Sequence, residues 1–334
     1  MVVEATHKME TTSCLCPGSK RWYNKIQSEA VLMKVSVVVA TYNRKDILDR
    51  CLEYLFRQDY PKDQYEIIVV DDGSGDGTQG MVEGKNPSSA LKYLKHKERK
   101  GQSKAKNLGI NHAQGEVVIF VDNDVFCPPQ FIGEHMRYHE KYDNVIVDGP
   151  AINTDIIDNP FNDKKKRLLA FLDFFGASFI TSNTSCKRDS LIEAGGFDEE
   201  FGKKFGWQDR ELGFRLRKMG VRRKKNRRAF VFHFKQKESL SNFVELFRKE
   251  RERGMNAVIF YRKHPVKQIR HQARFRYLWY DRLIPFKKLT DRDIEVFHRA
   301  HGKRFMRPFL TKFYLIHAYA EGLREELARQ RLRM

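Results

Sequence analysis

Val117-Val118-Ile119-Phe120-Val121-Asp122-Asn123-Asp124-Val125 decides how the rest of this 334-residue chain is read. Its five leading apolar residues, mostly β-branched or aromatic, make a run too short for a helix and suited to a strand buried on both faces. The run then stops on two acids. At the carboxyl end of a strand, where open α/β sheets bind their ligands, Asp122 and Asp124 repel one another unless a cation joins them. Hard oxygen donors of this kind suit Mg²⁺ or Mn²⁺, which usually completes its octahedron with substrate phosphates. The plainer alternative is a solvated acidic turn after a core strand.

Upstream, Val35 to Ala40 reads as a first strand with Thr41-Tyr42-Asn43 as its polar exit. Asn43 is placed to cap a helix whose apolar face is Ile47, Leu48, Cys51, Leu52 and Leu55. Glu66 to Val70 predicts the next strand, running into the loop D-D-G-S-G-D-G-T at Asp71 to Thr78, and Leu91 to Leu94 a third. A helix over Ser103 to Ala113 precedes the acidic strand, another is expected over Pro128 to Tyr142, and Val145 to Asp148 follows as a strand. Such alternation defines an α/β fold with a mostly parallel sheet. The glycine-rich loop comes near the calcium-loop pattern but departs at Ser74 and follows a strand, whereas a calcium loop follows a helix. Nor do its glycines match a phosphate cradle, and Asp71 and Asp72 would repel a pyrophosphate. An acid there can accept from a ribose hydroxyl or a base N–H, or simply shape a tight turn.

His135 and His139 stand one helical turn apart, but Met136 breaks the zinc motif H-E-x-x-H, so both read as ordinary surface or packing histidines. Residues 153 to 167, ending in Lys164-Lys165-Lys166-Arg167, suit a mobile loop, and Phe171, Phe174, Phe175 and Phe179 are core or acceptor-facing aromatics. In Gly206-Trp207-Gln208-Asp209-Arg210-Glu211-Leu212, Asp209 falls in the first turn of a helix. It is either a helix-start acid or a general base set beside the Trp207 ring. Val231-Phe232-His233 ends a short strand on a lone histidine, which taken alone is more often structural than a ligand.

The chain carries 63 Lys and Arg against 43 Asp and Glu, a net charge of +20. Residues 161 to 334 hold 43 of those cations and 20 of the acids. The excess therefore belongs to the second half, which points to an anionic partner: membrane, nucleic acid or phosphorylated substrate. Five scattered cysteines without C-x-x-C pairs imply a reducing, cytoplasmic setting. No secretory leader and no run of about eighteen apolar residues is present, so a peripheral place on the inner membrane face is the closest association expected.

Together, V-S-V-V-V-A-T-Y-N-R, E-I-I-V-V-D-D-G-S, K-G-Q-S-K-A-K-N-L-G, D-N-D, G-G-F-D-E and W-Q-D-R-E-L resemble, in order, the signatures of family-two glycosyltransferases of the GT-A fold. The resemblance runs from Val35 to Phe234 and includes the branch whose C-terminal part looks like galactosyltransferases and chondroitin polymerases. It implies a metal-dependent, inverting hexosyltransferase that moves sugar from a nucleotide-sugar donor, UDP-linked by preference, to a glycan or lipid-linked acceptor in polysaccharide biosynthesis. By carry-over, Thr41 and Asp72 hold the base, Asp122 the ribose, Asp124 and His233 the Mn²⁺ or Mg²⁺, and Asp209 is the catalytic base. Lys104, Asn183 and Trp207 are further donor-binding residues. Gln208 departs from the usual acid before the base, and Lys106 from a common arginine. The implied domains are an N-terminal extension at 1–32, a GT-A catalytic domain at 33–235, and a basic, mostly helical region at 236–334. In that last region Arg248, Lys249, Arg251, Arg253, Arg262 and Lys263, with Trp279 and Tyr280, are candidates to meet an anionic membrane surface. Two rivals stand beside this reading. One is a non-catalytic nucleic-acid binder built on R-R-K-K-N-R-R at Arg222 to Arg228, although no specific nucleic-acid motif accompanies it. The other is a sugar-1-phosphate nucleotidyltransferase, for which A-T-Y-N-R is not the required basic phosphate loop.

Overall fold

The computed structural model describes residues 34–162, 180–235, 240–282 and 307–331. The expected N-terminal extension, the Lys164–Arg167 run and Phe171 to Phe179 lie outside them. Strands β1 (Val35–Thr41), β2 (Tyr65–Asp71), β3 (Ala90–Lys95) and β4 (Val117–Asp122) alternate with helices α1 (Lys45–Phe56), α2 (Thr78–Glu83) and α3 (Gln102–His112). Next come β5 (Val125–Phe126), α4 (Phe131–Lys141), β6 (Val145–Asp148), β7 (Ala151–Thr154), β8 (Thr184–Lys187) and α5 (Arg188–Glu193). This α/β part closes with α6 (Gln208–Lys218), β9 (Arg222–Lys225) and β10 (Val231–Phe234). Seven strands form one sheet in the order β3-β2-β1-β4-β8-β6-β9, and β5-β10-β7 form a small second sheet. In the large sheet β8 alone runs antiparallel to its neighbours. The fold is that of the GT-A enzymes: a mostly parallel sheet flanked by helices.

The period-two side-chain alternation of a strand explains why the central ones are apolar on both faces, apart from Ser36 and Glu66, which bond to each other across β1 and β2, and the polar strand ends. Val35, Val37, Val39, Ile67, Val69, Ile119 and Val121 join one core with Leu48, Leu52 and Leu55 of α1 and Phe131 and Ile132 of α4. Val38, Ile68, Val70, Val118 and Phe120 face the other way, into a core with Ala105 and Ile110 of α3 and Leu212 and Leu216 of α6. The close approach of α3 needs Gly109, since a Cβ there would stand 2.5 Å from a methyl of Val38. Asn43 does not cap α1. It sits at φ 49° and instead accepts from the Gly75 N–H at 2.9 Å, while Asp76 caps the helix by accepting from the Lys45 N–H at 2.9 Å.

The C-terminal part is helical where it is described: α7 (Leu240–Lys263), α8 (Lys267–Gln272), α9 (Tyr277–Arg282) and α10 (Arg307–Arg329). Val258, Ile259 and Phe260 of α7 and Tyr319 and Leu323 of α10 share a core with Phe201, Trp207 and Phe214 of the α/β part. Each of the six cations singled out on α7 meets a carboxylate. Arg248 and Lys249 reach Glu245, Arg251 reaches Glu325, Arg253 reaches Glu250, Arg262 reaches Glu200, and Lys263 reaches Asp198. The stretch from Val266 to Trp279 holds no acid. It exposes Lys267, Arg270, Arg274 and Arg276, with Trp279 60% exposed. Among the described residues, no helix is long and apolar enough to cross a membrane.

His135 and His139 are both buried, in a polar chain that fastens α4 to β8. Ser185 Oγ lies 2.8 Å from His135 Nδ1 and 2.8 Å from His139 Nε2, and His135 Nε2 lies 2.9 Å from Asn183 Oδ1. Burial lowers the pKa of His135 to about 4, and burial together with the nearby His135 lowers that of His139 to about 3. The unfolded chain therefore takes up protons that the folded chain refuses, so stability is full above the ordinary histidine range near 6.5 and declines as pH falls toward 4. Urea unfolding at pH 7 and pH 5 is expected to differ by about 2 kcal/mol per histidine. His135→Gln should flatten that slope; an unchanged slope removes this account of acid sensitivity.

Candidate active site

The strand register brings the functional segments to one edge. Ala40 lies opposite Asp122 across β1 and β4, and Thr41 lies opposite Asp71 across β1 and β2. The carboxyl ends of three parallel strands thus open on one crevice, where such sheets bind ligands. After Asp122 the chain turns through Asn123-Asp124 into β5, which pairs antiparallel with β10 so that His233 lies opposite Val125. This pairing brings a histidine from far along the chain to the acids. Ligand atoms of Asp122, Asp124 and His233 lie within 4.8 Å of one another, the one such group of acids and histidines among the described residues.

Two carboxylate oxygens and one imidazole nitrogen are a set that Mn²⁺ or Mg²⁺ accepts, so the residues present fit a divalent ion. The group's charge is already balanced by the protein. Asp124 Oδ1 is 3.0 Å from His233 Nε2, its Oδ2 accepts from Arg44 at 2.8 Å, and Lys235 Nζ stands 2.9 Å from the same His233 nitrogen. Burial would raise the Asp124 pKa, but the hydrogen bond and charge of His233, with Arg44 and Lys235, outweigh it and hold the group to about 2. Asp122 goes the other way. Burial raises it, Asp124 and Asp209 add to the rise, and Lys106 and His233 oppose it.

Asp209 lies in the first turn of α6, as expected. Gly206 and Trp207 precede it at φ 94° and φ 74°, left-handed values that glycine adopts freely and tryptophan rarely. Asp209 Oδ2 accepts from Thr181 Oγ1 at 3.0 Å, and its Oδ1 lies 3.4 Å from Lys106 Nζ. Lys106, buried on α3, also donates to Thr181 Oγ1. It therefore stands between Asp209 and the acid group, and its charge acts on Asp122. Gln208 is buried beside Asp209, with its Nε2 donating to Gln102 at 3.2 Å and its Oε1 unpartnered.

The other residues expected at the donor divide. Thr41 is at the edge, its Oγ1 accepting from Asn123 at 3.0 Å. Asp72 is buried, and its oxygens accept from the Lys100 and Gly101 N–H groups at 2.8 Å each, with His96 Nδ1 at 2.9 Å. It thereby pins the start of α3 against the strand ends. Lys104 is on the exposed side of α3, 3.6 Å from Glu199, so Lys106 is the α3 lysine turned toward the acids. Asn183 is committed to the interior: its Nδ2 donates to Pro150 O at 3.1 Å and Ala229 O at 2.7 Å, which uses both N–H groups. The Trp207 ring packs on Phe260 with centroids 5.7 Å apart, and its Nε1 donates to Arg253 O at 2.9 Å. Arg44, Thr181 and Lys235 had no role in the sequence reading, although the first lies inside a motif that it quoted.

Residues 36–194 match the model of glycosyl transferase family 2, so this stretch carries that family's sequence pattern. The mannosyltransferase PcManGT of Pyrobaculum calidifontis, solved with GDP-Man and Mn²⁺, superposes over 93% of this chain and 95% of its own, with a TM-score of 0.61 and 20% identity. Staphylococcus aureus TarS 1–349 with UDP-GlcNAc superposes over 90% of this chain and 93% of its own, with a TM-score of 0.51 and 17% identity. At those identities the likeness is one of fold. In sequence, the uncharacterized glycosyltransferase YfnE of Bacillus subtilis is 28% identical over 57% of this chain and 62% of its own length. The GalNAc(5)-diNAcBac-PP-undecaprenol beta-1,3-glucosyltransferase of Campylobacter jejuni is 32% identical over 50% of this chain and 56% of its own. The chain thus spans less than two thirds of these relatives.

Because Asp72 satisfies backbone N–H groups at the start of α3, its loss should be felt as stability. Asp72→Ala is expected to cost about 3 kcal/mol, read as a fall in melting temperature of several degrees. A melting temperature within one degree of the parent's would show that the loop holds without it.

Proposed function

We propose that the chain is a divalent-metal-dependent, inverting glycosyltransferase that moves a hexose from a nucleoside diphosphate sugar, preferably UDP-linked, to an acceptor hydroxyl in cell-surface glycan or glycolipid synthesis. The observation that carries this reading is the Asp122, Asp124 and His233 group at the ligand edge, with Asp209 beyond Lys106. Asp124 and His233 would hold the ion, which when bound supplies a Lewis acid for the departing diphosphate. Asp122 faces the donor ribose and Thr41 the base. Lys106 and Arg44 add positive charge where the diphosphate gathers its negative charge. Asp209 takes the proton of the attacking hydroxyl, held in place by Thr181 and Lys106, and general-base assistance of this kind is worth about 10²–10⁴-fold. The fold neighbour solved with GDP-Man and Mn²⁺ and the one solved with UDP-GlcNAc support a nucleotide-sugar donor and a manganese ion.

The acceptor is a glycan or a lipid-linked sugar, and the enzyme works on the cytoplasmic face of a membrane. On this reading 33–235 is the catalytic domain, 236–334 a basic, mostly helical region, and 1–32 an extension. Support for membrane contact comes from the acid-free stretch around Arg270, Arg276 and Trp279, since each exposed cation near an anionic bilayer adds about 1 kcal/mol. The nucleic-acid reading is weaker than its charge run suggests. Arg222 to Lys225 are edge strand β9, with Arg223 2.5 Å from Asp148 and Lys224 over the Tyr142 ring. Cations on an edge strand serve to block sheet-to-sheet pairing.

Asp209→Asn should keep UDP affinity in Mn²⁺ yet lose transfer by at least a hundredfold, read as sugar transfer from a panel of nucleotide sugars. Asp124→Ala should instead weaken Mn²⁺ binding, followed by electron paramagnetic resonance. Full transfer in chelator, or a product that keeps the donor's anomeric configuration, would sink the mechanism. For the membrane, co-sedimentation with anionic vesicles should fall several-fold in Arg270→Glu/Arg276→Glu and in high salt; equal sedimentation with neutral vesicles counts against that part.

A further inference from the structure

The atoms suited to hold the ion are also the atoms that two cationic side chains touch. Asp124 Oδ2 accepts from Arg44 at 2.8 Å, its Oδ1 is 3.0 Å from His233 Nε2, and Lys235 Nζ is 2.9 Å from that same nitrogen. One ring nitrogen cannot serve both of its neighbours. Protonated, it donates to Asp124 and leaves the ammonium, which has only donors, without an acceptor; bare, it accepts from Lys235 and sets a lone pair against the carboxylate. Either form leaves one contact mismatched. A divalent ion takes a lone pair from Nε2 and another from Asp124 together, and in doing so claims what Arg44 and Lys235 bind.

The backbone that brings these groups together is fastened on each side. Phe234 N–H donates to Asp124 O at 2.8 Å, and Lys235 N–H to Thr154 O at 2.7 Å, so His233 and Lys235 pass the acids on a bonded strand end. Arg44 follows a turn in which the Asn43 N–H donates to Ser74 Oγ at 2.8 Å. The cationic ends are not fastened in the same way. The Arg44 side chain is 47% exposed and Lys235 is exposed, so each can swing off its partner without opening the core. Charge then decides what must accompany the ion. Even with Asp122 and Asp124 both ionised, Arg44 and Lys235 match them charge for charge, and the charge of Lys106 acts on Asp122 as well. A divalent ion alone therefore leaves positive charge in excess, and the diphosphate of a nucleotide sugar removes it.

We propose that Arg44 and Lys235 are exchange residues, which bond the ligand atoms of the ion and pass from them to the donor diphosphate as the ion takes their place. The inference rests on the reading of Asp124 and His233 as the ion's ligands and adds to it the two residues that link ion to donor. The arginine fork matches paired phosphate oxygens, and the lysine brings a point charge beside it. The same two side chains thus oppose the ion by itself and favour the nucleotide once the ion is bound. A residue that merely held the acids in shape would change both affinities in one direction.

The test measures the two affinities separately on the full chain. Mn²⁺ alone is followed by electron paramagnetic resonance, and UDP in saturating Mn²⁺ by calorimetry. Because an exposed ion pair is worth little, Arg44→Gln/Lys235→Gln should bind Mn²⁺ alone about fivefold more tightly than wild type. The same variant should bind UDP in saturating Mn²⁺ about tenfold more weakly, since it has lost charged hydrogen bonds to the diphosphate. Arg44→Lys/Lys235→Arg, which keeps both charges, should bring both affinities back toward wild type, and thermal unfolding reports that each variant is folded. Mn²⁺ binding that is unchanged or weaker in the glutamine variant, or UDP binding that is unchanged, overturns the exchange and leaves the metal reading standing. A wild type that binds no Mn²⁺, with or without UDP, overturns the metal reading itself.

Discussion

Asp122 and Asp124 put two carboxylates one residue apart at the end of a buried strand, where their mutual repulsion must be met by positive charge. The fold meets it from several directions. Arg44 comes from the exit of β1, Lys106 from α3, His233 from β10 and Lys235 from the residue just after it. Each arrives only because its own element is in register, so the charge balance of the site checks the topology. The two acids are also treated differently. Asp124 is held ionised by direct hydrogen bonds from cationic groups, whereas Asp122 is buried with Asp124 and Asp209 both acting on it. One carboxylate is thereby held ionised, while burial and the neighbouring acids push the other toward its neutral form.

What could be read from sequence follows from which interactions are local. The central strands were legible because both faces are buried and nearly every residue between their ends is apolar, and α1 because its face repeats at helical spacing. Strands β5, β7, β8 and β9 were not. They run two to four residues, and β9 is four cations whose place is set by pairing with β6, not by burial. The acids and His233 could be named as types suited to a metal, but their meeting depends on the β5–β10 pairing, a contact no local pattern contains. Asn183 and Asp72 show the reverse difficulty. Both stand in motifs that sequence reading assigns to a ligand, and both are bound to backbone groups inside the protein, because buried amides and carboxylates must be satisfied before anything else.

The charge of the C-terminal half needs the same separation of kinds. A count of lysines and arginines treats α7 and the stretch after it alike, yet α7 spends its cations on neighbouring acids, which in exposed pairs is worth little and mainly sets geometry. What α7 does set is the approach to Asp209. Trp207 begins α6 in a left-handed conformation that tryptophan does not adopt freely, so something must hold it there. Its indole is fixed by the Arg253 carbonyl and by Phe260, both on α7, and the turn before it passes so close to Arg253 that a Cβ at Gly206 would stand 3.0 Å from that side chain. Phe205 N–H is held as well, by Glu252 at 2.8 Å, and Asn256 donates to Gly206 O at 3.0 Å. The first turn of α6, and with it the carboxylate of Asp209, is thus positioned as much by the C-terminal helices as by the sheet. Helices outside the residues that match the glycosyl transferase family 2 model still fix the angle at which the Asp209 carboxylate faces the crevice, and a boundary drawn at residue 235 divides the chain between motifs that the packing joins.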